Sequence, residues 1–307
     1  MSRIVVVGAT GRIGRPLCED LIAAGDAVTV VSRDPGRAAR LVPRAAGYIA
    51  WQPGSAEFRG HLEAAGAVVY LAGAPLFDGR RHRQADVEAE SRARVAALGQ
   101  LAAALGDRRP ATLVAASSVG LYGYSGRSDA PVDESSAAGT DWWGRDSAAI
   151  EEAARAVAAP GMRIVLLRTG YVLTPDSLAG QVAQFRRHLG GWVGDGRGWT
   201  PWIHVADEIG VIRLALEHQD VAGPLNLTAP APVPGRDFAR ALGHVLGERA
   251  WLPVPSPLVR MGLGAVTDIL VRGKRVVPAR ATEAGYQFRF PEVEAALRDL
   301  VRGGAAR

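Results

Sequence analysis

Residues 4–14 read IVVVGATGRIG, and this stretch decides the fold. Its first four residues form an uninterrupted apolar run, which is typical of a strand buried on both faces of a parallel sheet. Gly8, Gly11 and Gly14 follow with G-x-x-G-x-x-G spacing, and residues 13–24 have the pattern of a helix. Strand, glycine turn and helix therefore occur in the order that a dinucleotide pyrophosphate requires.

Each glycine of this turn has its own purpose. Gly8 allows the tight turn, Gly11 lets the backbone approach the phosphates, and Gly14 lets the helix pack close to the strand. The N-terminus of the helix then presents free N–H groups to the anion. A structural turn without a ligand is the alternative interpretation. The predicted cofactor contacts in this stretch are Gly8, Thr10, Gly11, Arg12, Ile13 and Gly14.

The end of the second predicted strand, residues 28–31, indicates which nicotinamide coenzyme binds. In a βαβ unit an acidic residue at this point binds the 2′-hydroxyl of the adenosine ribose, whereas an arginine accommodates a 2′-phosphate. Ser32 and Arg33 stand here, which favours NADP(H) over NAD(H). Asp34, which comes two residues late and precedes a proline, is the alternative as a ribose-binding acid.

Strands and helices continue to alternate along the chain. Further strands are predicted at residues 48–51, 68–72, 112–116, 163–167 and 225–227, with a long helix at 84–105. This alternation predicts an α/β fold, a Rossmann-type doubly wound parallel sheet, which binds ligands at the carboxyl ends of its strands. The fourth and fifth strands therefore add the predicted cofactor contacts Leu71, Ala72, Gly73 and Ser117.

The character of the sequence changes after residue 175, which divides the predicted architecture in two. Residues 1–175 are expected to form the dinucleotide-binding domain, with its last strand returning near residues 223–229. Residues 176–307 are expected to form a smaller, substrate-binding C-terminal lobe and lid. Within this lobe, residues 190–199 (GGWVGDGRGW) contain too much glycine for a regular element. A loop of this length and aromatic content is expected to cover a binding cleft.

Composition limits the classes of function. The chain has 307 residues, 48% of them hydrophobic, and a formal net charge of +5, which is ordinary for a globular protein. Because no apolar run could cross a bilayer and no signal peptide precedes the first strand, we expect a cytoplasmic location and no membrane partner. The single cysteine, Cys18, has no Cys or His neighbours at ligand spacing, so no metal site is predicted. The basic residues are too dispersed for a nucleic-acid interface, and a small molecule is the expected partner of a monomer or homodimer.

Several motifs occur in a characteristic order. They are residues 71–75 (LAGAP), 91–92 (SR), 117–123 (SSVGLYG), 168–170 (RTG), 202–207 (WIHVAD), 223–230 (GPLNLTAP), 275–278 (RVVP) and 288–291 (FRFP). Through them the chain resembles the extended short-chain dehydrogenases/reductases, the type of the nucleotide-sugar epimerases and dehydratases. It is most similar to an atypical branch, the epimerase-family proteins, which carry a C-terminal domain of unknown function. The resemblance spans almost the whole chain and implies a Rossmann fold that binds a nicotinamide cofactor.

The chain departs from this superfamily in its catalytic pair. The superfamily's usual machinery is a Ser or Thr that polarises the substrate oxygen, together with a tyrosine and a lysine four residues apart. Ser118 falls at the serine position, but the tyrosine and lysine positions, counted back from Glu151, hold Trp143 and Ser147. The only lysine of the chain is the distant Lys274. Ketone reduction by a Tyr–Lys couple is therefore not expected.

Hydroxyl groups are the remaining candidates for chemistry. The resemblance places Ser118 beside the nicotinamide, Tyr122 is the phenol nearest to it in sequence, and Tyr171 follows the sixth strand. The predicted catalytic residues are therefore Ser118, Tyr122 and Tyr171. A structural hydroxyl is the alternative for Tyr122, because a catalytic phenol normally needs a nearby cation to lower its pKa. His204 and Asp207 are interpreted either as an acid/base pair or as an anchor between lobe and sheet.

Two further departures bear on the substrate. In nucleotide-sugar enzymes an asparagine follows the sixth strand and an arginine follows the glycine-rich loop, where this chain has Tyr171 and Thr200. A nucleotide sugar is therefore not expected. The tryptophans favour an apolar or aromatic substrate, since ligand pockets are mostly apolar, although a core position is the alternative for each of them. The predicted substrate contacts are Trp143, Arg197, Trp199 and Trp202.

The sequence supports three functional hypotheses. The first is an NADP(H)-dependent oxidoreductase or epimerase-like enzyme that acts on a small, apolar or aromatic molecule other than a nucleotide sugar. The second is a non-catalytic NADP(H)-binding protein, which the missing Tyr–Lys pair motivates. The third is a redox-neutral isomerase or cyclase on the same fold.

Overall fold

The computed structural model describes residues 1–77, 80–105 and 109–304. Its strands are β1 (Arg3–Val7), β2 (Ala27–Ser32), β3 (Gly47–Ala50), β4 (Ala67–Tyr70), β5 (Thr112–Ser118), β6 (Pro131–Val132), β7 (Arg163–Thr169), β8 (Tyr171–Leu173), β9 (Gly191–Val193), β10 (Trp199–Thr200), β11 (Trp202–His204), β12 (Gly223–Leu227), β13 (Val233–Pro234), β14 (Leu252–Val254) and β15 (Arg275–Val276). Its helices are α1 (Gly14–Ala23), α2 (Pro35–Leu41), α3 (Ala56–Glu63), α4 (Gln84–Ala104), α5 (Trp142–Ala156), α6 (Pro175–Phe185), α7 (Val205–Glu217), α8 (Gly235–Leu246), α9 (Ser256–Leu263), α10 (Thr267–Arg272), α11 (Ala279–Glu283) and α12 (Val293–Gly304), with a short 3₁₀ helix at Val119–Tyr122.

The central sheet has the predicted architecture. Within the described residues, seven parallel strands are ordered β12-β7-β5-β4-β1-β2-β3. The chain runs outward from β1 to β3, crosses back to β4 and continues outward on the other side. The order therefore reverses between β1 and β4, and in sheets of this kind the crevice at such a reversal binds ligands. The prediction of a Rossmann-type doubly wound sheet is confirmed.

Helices cover both faces of this sheet. On one face α1 and α7 pack against the strands through fully buried residues such as Leu17 and Ile212. On the other face α3, α4 and α5 do so through Phe58, Leu101 and Ile150. The uninterrupted apolar strands that the sequence shows are explained by burial on both sides.

Two central strands are longer than their hydrophobic patterns indicated. The sequence predicts that β5 ends at residue 116 and β7 at residue 167, but the ladder between them continues to the pair Ser118 and Thr169. Polar residues extend these strands because the backbone pairing does not depend on apolar side chains. The ladder consequently brings Ser118 and Thr169 side by side at the edge where ligands bind.

The C-terminal half contributes to both parts of the molecule. A separate hydrophobic core joins α6, α8 and α12, with Phe185, Leu242 and Leu297 at its centre. However, α7 and β12 belong to the central sheet and its covering layer. Residues 176–307 therefore do not form one continuous lobe, and the proposed boundary at residue 175 remains a prediction.

The glycine-rich segment 190–199 is more regular than predicted. Its first part is β9, which pairs in parallel with β14, and its end is β10, which pairs with β13. A Cβ atom on Gly191 would overlap the carbonyl of Leu252. This glycine therefore permits the close approach of two strands. A requirement of this kind enriches the segment in glycine, so its composition resembles that of an irregular loop.

The described residues show neither a membrane-spanning helix nor a metal-binding cluster, and the single cysteine is buried. No helix in the described residues has the length and apolar character needed to cross a bilayer. The same residues contain no His, Cys, Asp or Glu group arranged to hold a metal ion. Cys18 is fully buried in α1, and this burial raises the pKa of its thiol to about 12.

Candidate cofactor and substrate site

A large cavity runs along the carboxyl ends of β1, β4, β5 and β7. Its volume is about 1060 Å³, and the glycine turn forms one end. The C-terminal half covers the remainder through β9, α8, α9 and α10. Because ligand pockets usually have volumes of roughly 300–1,000 Å³, this cavity has room for more than one small molecule.

The glycine turn has the shape that a pyrophosphate needs. Gly8 has φ +88°, and a Cβ atom there would lie 2.8 Å from the amide nitrogen of Ala72. A Cβ atom on Gly14 would overlap the carbonyl oxygen of Gly8. Ile13 precedes α1 without capping it by a side-chain hydrogen bond. No described residue accepts from the backbone N–H groups of Arg12, Ile13 and Gly14, so these amides are available to an anion, and the residues present fit a dinucleotide.

Most of the predicted cofactor contacts come together in the cavity. Arg12 spans it, and its Nη1 donates to the carbonyl oxygen of Phe77 at 2.9 Å. The lining includes Gly8, Thr10, Gly11, Arg12, Ile13, Gly14, Leu71, Ala72, Gly73 and Ser117.

The residues predicted to meet the 2′-phosphate lie outside the enclosed space. Ser32 is the last residue of β2 and Arg33 follows it, and neither lines the cavity. The backbone N–H of Asp34 donates to Ser32 Oγ at 3.2 Å, and the Asp34 carboxylate accepts from the N–H of Arg37 at 2.9 Å. Asp34 therefore caps α2, which argues against the alternative role of ribose acid. Arg33 is exposed, and its contact with the 2′-phosphate stays a prediction.

A polar face of α4, which the sequence did not predict, supports the cofactor-facing loops. Arg94 Nη2 donates to the carbonyl of Ala116 at 2.6 Å, and Glu90 Oε1 accepts from the N–H of Ala74 at 2.9 Å. Ser91 Oγ donates to Asp146 on α5 at 2.5 Å, and burial raises the pKa of Asp146. These side chains line the cavity, and they fix the loop after β4 and the end of β5 to α4, which is in turn joined to α5.

Tyr122 is not placed in the cavity, contrary to its predicted catalytic role. Its hydroxyl donates to Asn226 Oδ1 at 2.7 Å and accepts from Arg168 Nη1 at 2.9 Å. Burial raises the pKa of Tyr122 to about 12, although the Arg168 charge and hydrogen bond oppose this shift. The geometry corrects the prediction in favour of the structural alternative, because both hydrogen-bonding directions of the phenol are used inside the protein.

The same buried network reaches the cavity through Ser117. Glu151 forms an ion pair with Arg168 at 2.8 Å and accepts from Ser117 Oγ at 3.0 Å. Burial by itself would raise the pKa of Glu151, but the hydrogen bond and charge of Arg168 lower it overall. The carboxylate is therefore held in its ionised form directly beneath a residue of the cavity wall.

Ser118 and Tyr171, the other two predicted catalytic residues, line the cavity, but both are engaged with the backbone. Ser118 Oγ accepts from the N–H of Gly120 at 3.0 Å, which leaves its proton available to a ligand. The Tyr171 hydroxyl donates to the carbonyl of Ser177 at 2.9 Å, and burial raises its pKa to about 12. Tyr171 therefore contributes mainly its ring, which lies 4.8 Å from that of Phe77.

The predicted substrate contacts divide into two groups. Trp143 and Trp199 line the cavity. Trp202 does not, because it is completely buried in the C-terminal core and its Nε1 donates to the carbonyl of Ala231. Arg197 is exposed outside the cavity and follows Asp195, which accepts from its N–H at 3.0 Å. The structure thus corrects the predictions for Trp202 and Arg197.

The contacts of His204 and Asp207 are also with other parts of the protein and not with the cavity. Asp207 is fully buried and accepts from the backbone N–H groups of Arg289 and Phe290 at 2.8 and 2.9 Å. The ring of His204 lies 3.9 Å from that of Phe290. Neither residue lines the cavity, so the geometry favours the anchor over the acid/base pair.

Tyr124 is a cavity residue that sequence reasoning missed. Gly123 has φ +70°, and Asp141 accepts from the N–H of Tyr124 at 2.5 Å and from that of Gly144 at 2.9 Å. This turn places the phenol ring 5.6 Å from Trp143 in an edge-to-face arrangement at the cavity wall. The available signal was Gly123, a glycine that ends the 3₁₀ helix with a positive φ and redirects the chain.

Sequence comparison agrees with this architecture. The profile of the NAD dependent epimerase/dehydratase family matches residues 4–227, which is most of the chain. The chain belongs to this family. A second profile, a domain of unknown function (DUF1731), matches residues 254–300. Both parts of the predicted resemblance are confirmed, and the second match includes the α9–α10 segment that covers the cavity.

Relatives match over nearly their full length. The human epimerase family protein SDR39U1 is 34% identical, with 97% of this chain and 99% of the relative covered. Epimerase family protein MT2273 of Mycobacterium tuberculosis is also 34% identical, with 96% of each chain covered. A crystal structure of human SDR39U1 (isoform 2) with NADPH has a TM-score of 0.83 and 33% identity, covering 98% of this chain and 99% of that one.

Proposed function

We propose that this chain is an NADP(H)-dependent enzyme of the short-chain dehydrogenase/reductase type, with a small apolar or aromatic substrate that is not a nucleotide sugar. One observation carries the proposal: a single cavity joins the glycine turn to a pocket walled by Trp143, Trp199 and the C-terminal half. The NADPH in the human relative supports the choice of coenzyme. A small molecule is the proposed partner, and a monomer or homodimer in the cytoplasm remains the sequence-based prediction.

The proposed division of labour follows the geometry of the cavity. A bound nicotinamide supplies hydride transfer. The amides of the glycine turn hold the pyrophosphate, and Arg33 at the end of β2 meets the 2′-phosphate. Ser118 can donate its hydroxyl proton to an oxygen atom in the cavity, since its acceptor function already serves Gly120. The C-terminal half covers the cavity and excludes water from the reacting molecules.

Two coenzyme titrations test this proposal. The intrinsic fluorescence of NADPH and of NADH is followed as each is added to protein. We expect NADPH to bind roughly tenfold or more tightly than NADH, because an arginine favours the 2′-phosphate. Arg33→Ala should remove most of this preference while NADH affinity changes little. If neither coenzyme binds, the proposed function is wrong; if NADH binds better, the assignment of Arg33 is wrong.

A non-catalytic coenzyme-binding protein is the second candidate. It is favoured by Trp143 and Ser147, which line the cavity where the superfamily's Tyr–Lys pair is expected. Binding of NADPH without its oxidation by any member of a broad carbonyl panel would favour this candidate. Conversion of a substrate without net change in nicotinamide absorbance would instead favour a redox-neutral isomerase or cyclase.

A further inference from the structure

Part of the cavity is an apolar compartment, which we call the distal pocket. It is lined by Leu76, Val87, Tyr124, Trp143 and Ile269, which also pack against one another. These residues come from the loop after β4, the start of α4, the turn after the 3₁₀ helix, the start of α5 and α10. Aliphatic and aromatic groups dominate this compartment, so an apolar molecule would be desolvated there without loss of polar contacts.

Two polar groups interrupt this apolar lining: the Nε1–H of Trp143 lacks a partner but is buried within the wall, whereas the hydroxyl of Tyr124 is the one that a ligand can reach. Tyr124 is 4% exposed, and no described residue forms a hydrogen bond with its hydroxyl. The hydroxyls of Tyr48, Tyr122, Tyr171 and Tyr286, in contrast, all have protein partners. Burial, followed by the charges of two aspartates, raises the pKa of Tyr124, so its phenol stays protonated.

The surroundings hold this hydroxyl in place before any ligand arrives. Asp141 fixes the backbone of Tyr124 by accepting from its N–H, and the ring packs edge-to-face on Trp143. Trp142 stacks on the other side of Trp143, with 4.1 Å between ring centroids. A donor that is immobilised and lacks a partner in an apolar pocket gains a hydrogen bond at little entropic cost when a ligand supplies an acceptor.

We infer that the distal pocket binds the substrate through a carbonyl-type oxygen, which accepts a hydrogen bond from the Tyr124 hydroxyl while the apolar walls hold the rest of the molecule. This inference deepens the proposed function by naming the substrate class, an apolar ketone, aldehyde or quinone, and in that sense rests on it. Tyr124 thereby binds and orients the oxygen. A polyhydroxylated sugar is excluded because the pocket offers too few partners for its hydroxyl groups.

Two planar probes of the same ring shape test the inference. These are 9,10-phenanthrenequinone, which carries two carbonyl oxygens, and phenanthrene, which carries none. Their affinities are measured by quenching of tryptophan fluorescence on protein saturated with NADP⁺, which cannot reduce the quinone. We expect the wild type to bind the quinone roughly three- to tenfold more tightly than the hydrocarbon, as one net hydrogen bond provides.

Tyr124→Phe should bring the two affinities to within about twofold of each other while leaving phenanthrene affinity unchanged. Tyr70→Phe is the matched control, because Tyr70 is also buried and its hydroxyl has no partner among the described residues, yet it does not line the cavity. It should keep the wild-type ratio. Equal wild-type affinities for the two probes, or an unchanged ratio in Tyr124→Phe, would overturn the inference.

A further variant keeps the test decisive if Tyr124→Phe does not fold. Ile269→Trp should fill the distal pocket and weaken both probes strongly without affecting NADPH binding. Probe binding that survives this change would contradict the assigned location. Two separate measurements distinguish the two claims. Absence of binding in the coenzyme titration defeats the proposed function, whereas the probe ratio, measured with and without coenzyme, decides the role of Tyr124.

Discussion

The cofactor end of the cavity is built from neighbours in the sequence, whereas the distal pocket is built from residues far apart. Gly8, Gly11 and Gly14 lie within one turn, and their spacing alone creates the cradle. The distal pocket instead needs the loop after β4, the starts of α4 and α5, and α10 of the C-terminal half. The difference means that a single substitution can abolish the first region, while the second can change gradually through exchanges of side chains.

The two regions also differ in polarity. The cradle offers backbone N–H groups at a helix N-terminus, which suit any pyrophosphate and do not depend on side chains. The distal pocket offers apolar surface and one free phenol, Tyr124, which suits a narrow class of ligands. Coenzyme binding is therefore the robust property of this architecture, and substrate choice is its adjustable property.

Gly14→Ala should have the largest effect of any single change in the cradle. Its Cβ atom would overlap the carbonyl oxygen of Gly8, and a backbone atom in a tight turn cannot move aside cheaply. We expect NADPH affinity to fall by roughly 100-fold or more. Coenzyme titration measures the loss, and circular dichroism shows whether the fold is kept.

Gly60→Ala is the matched control for that change. Gly60 lies in α3, and a Cβ atom there would meet nothing within 4 Å. The variant should keep wild-type coenzyme affinity and gain about 0.5–1 kcal/mol of unfolding free energy, because alanine is the better helix former. Wild-type NADPH affinity in Gly14→Ala would show that the cradle does not work as described.

Outside the cradle, Arg168→Met should have the largest effect, and that effect is on stability. It would leave the buried carboxylate of Glu151 without its main partner and remove a donor to Tyr122. Breaking a buried ion pair from one side costs about 3–5 kcal/mol, and urea denaturation measures this loss. Arg155→Met is the control, because Arg155 contacts the same carboxylate from the exposed side, where a loss of at most about 1 kcal/mol is expected.

This ion pair also carries a pH dependence of known sign. The pKa of Glu151 is lowered in the folded protein from its ordinary 4.5. Its contribution to the free energy of unfolding is therefore fully present above pH 4.5 and is lost as pH falls through the folded-state pKa. A wild-type acid-unfolding curve that coincides with that of Arg168→Met would contradict this account.

The cradle and the sheet were predictable from the sequence because both depend on short-range patterns. Apolar runs and glycine spacing determine β1, the turn and α1 within about twenty residues, whatever the rest of the chain does. The network of Ser117, Glu151 and Arg168 was not predictable, since it joins three elements that only the folded sheet brings together. Its ionised groups have no recognisable pattern in sequence.

Tyr122 and Tyr124 illustrate the limit most directly. The sequence favoured Tyr122 because it is nearer to Ser118, but the chain turns at Gly123 and directs Tyr124 to the cavity instead. Trp199 and Trp202 show the same limit, since they are three positions apart in sequence, yet one lies in the cavity wall and the other in the hydrophobic core. Proximity in sequence decides which loop a side chain belongs to, whereas backbone dihedrals decide what it contacts.

Glu208 provides a pH test beside the cavity, because its hydrogen-bond partner Thr169 is part of the cavity wall. It is completely buried, accepts from Thr169 Oγ1 at 3.1 Å, and burial raises its pKa to about 8. Because the folded state keeps a proton that the unfolded state releases near pH 4.5, the free energy of unfolding should fall between pH 4.5 and 8. The slope is at most about 1.4 kcal/mol per pH unit. Glu208→Gln should reduce the difference between the free energies of unfolding measured by urea denaturation at pH 5 and at pH 8. An unchanged difference would assign the pH dependence to another group.

Arg94→Gln should have the smallest effect, and it connects the two regions. The guanidinium holds the end of β5 through Ala116 and packs against Gly73 after β4, so its loss loosens two loops without removing any coenzyme contact from the cradle. We expect NADPH affinity to fall roughly three- to tenfold, the worth of one partly buried charged hydrogen bond.

Arg92→Gln, which changes an exposed arginine on the same helix, should leave that affinity unchanged. A loss as large as that of Gly14→Ala would mean that Arg94 contacts the coenzyme directly. In that case the coenzyme site would include a side chain of α4, and it would not consist of the glycine turn alone.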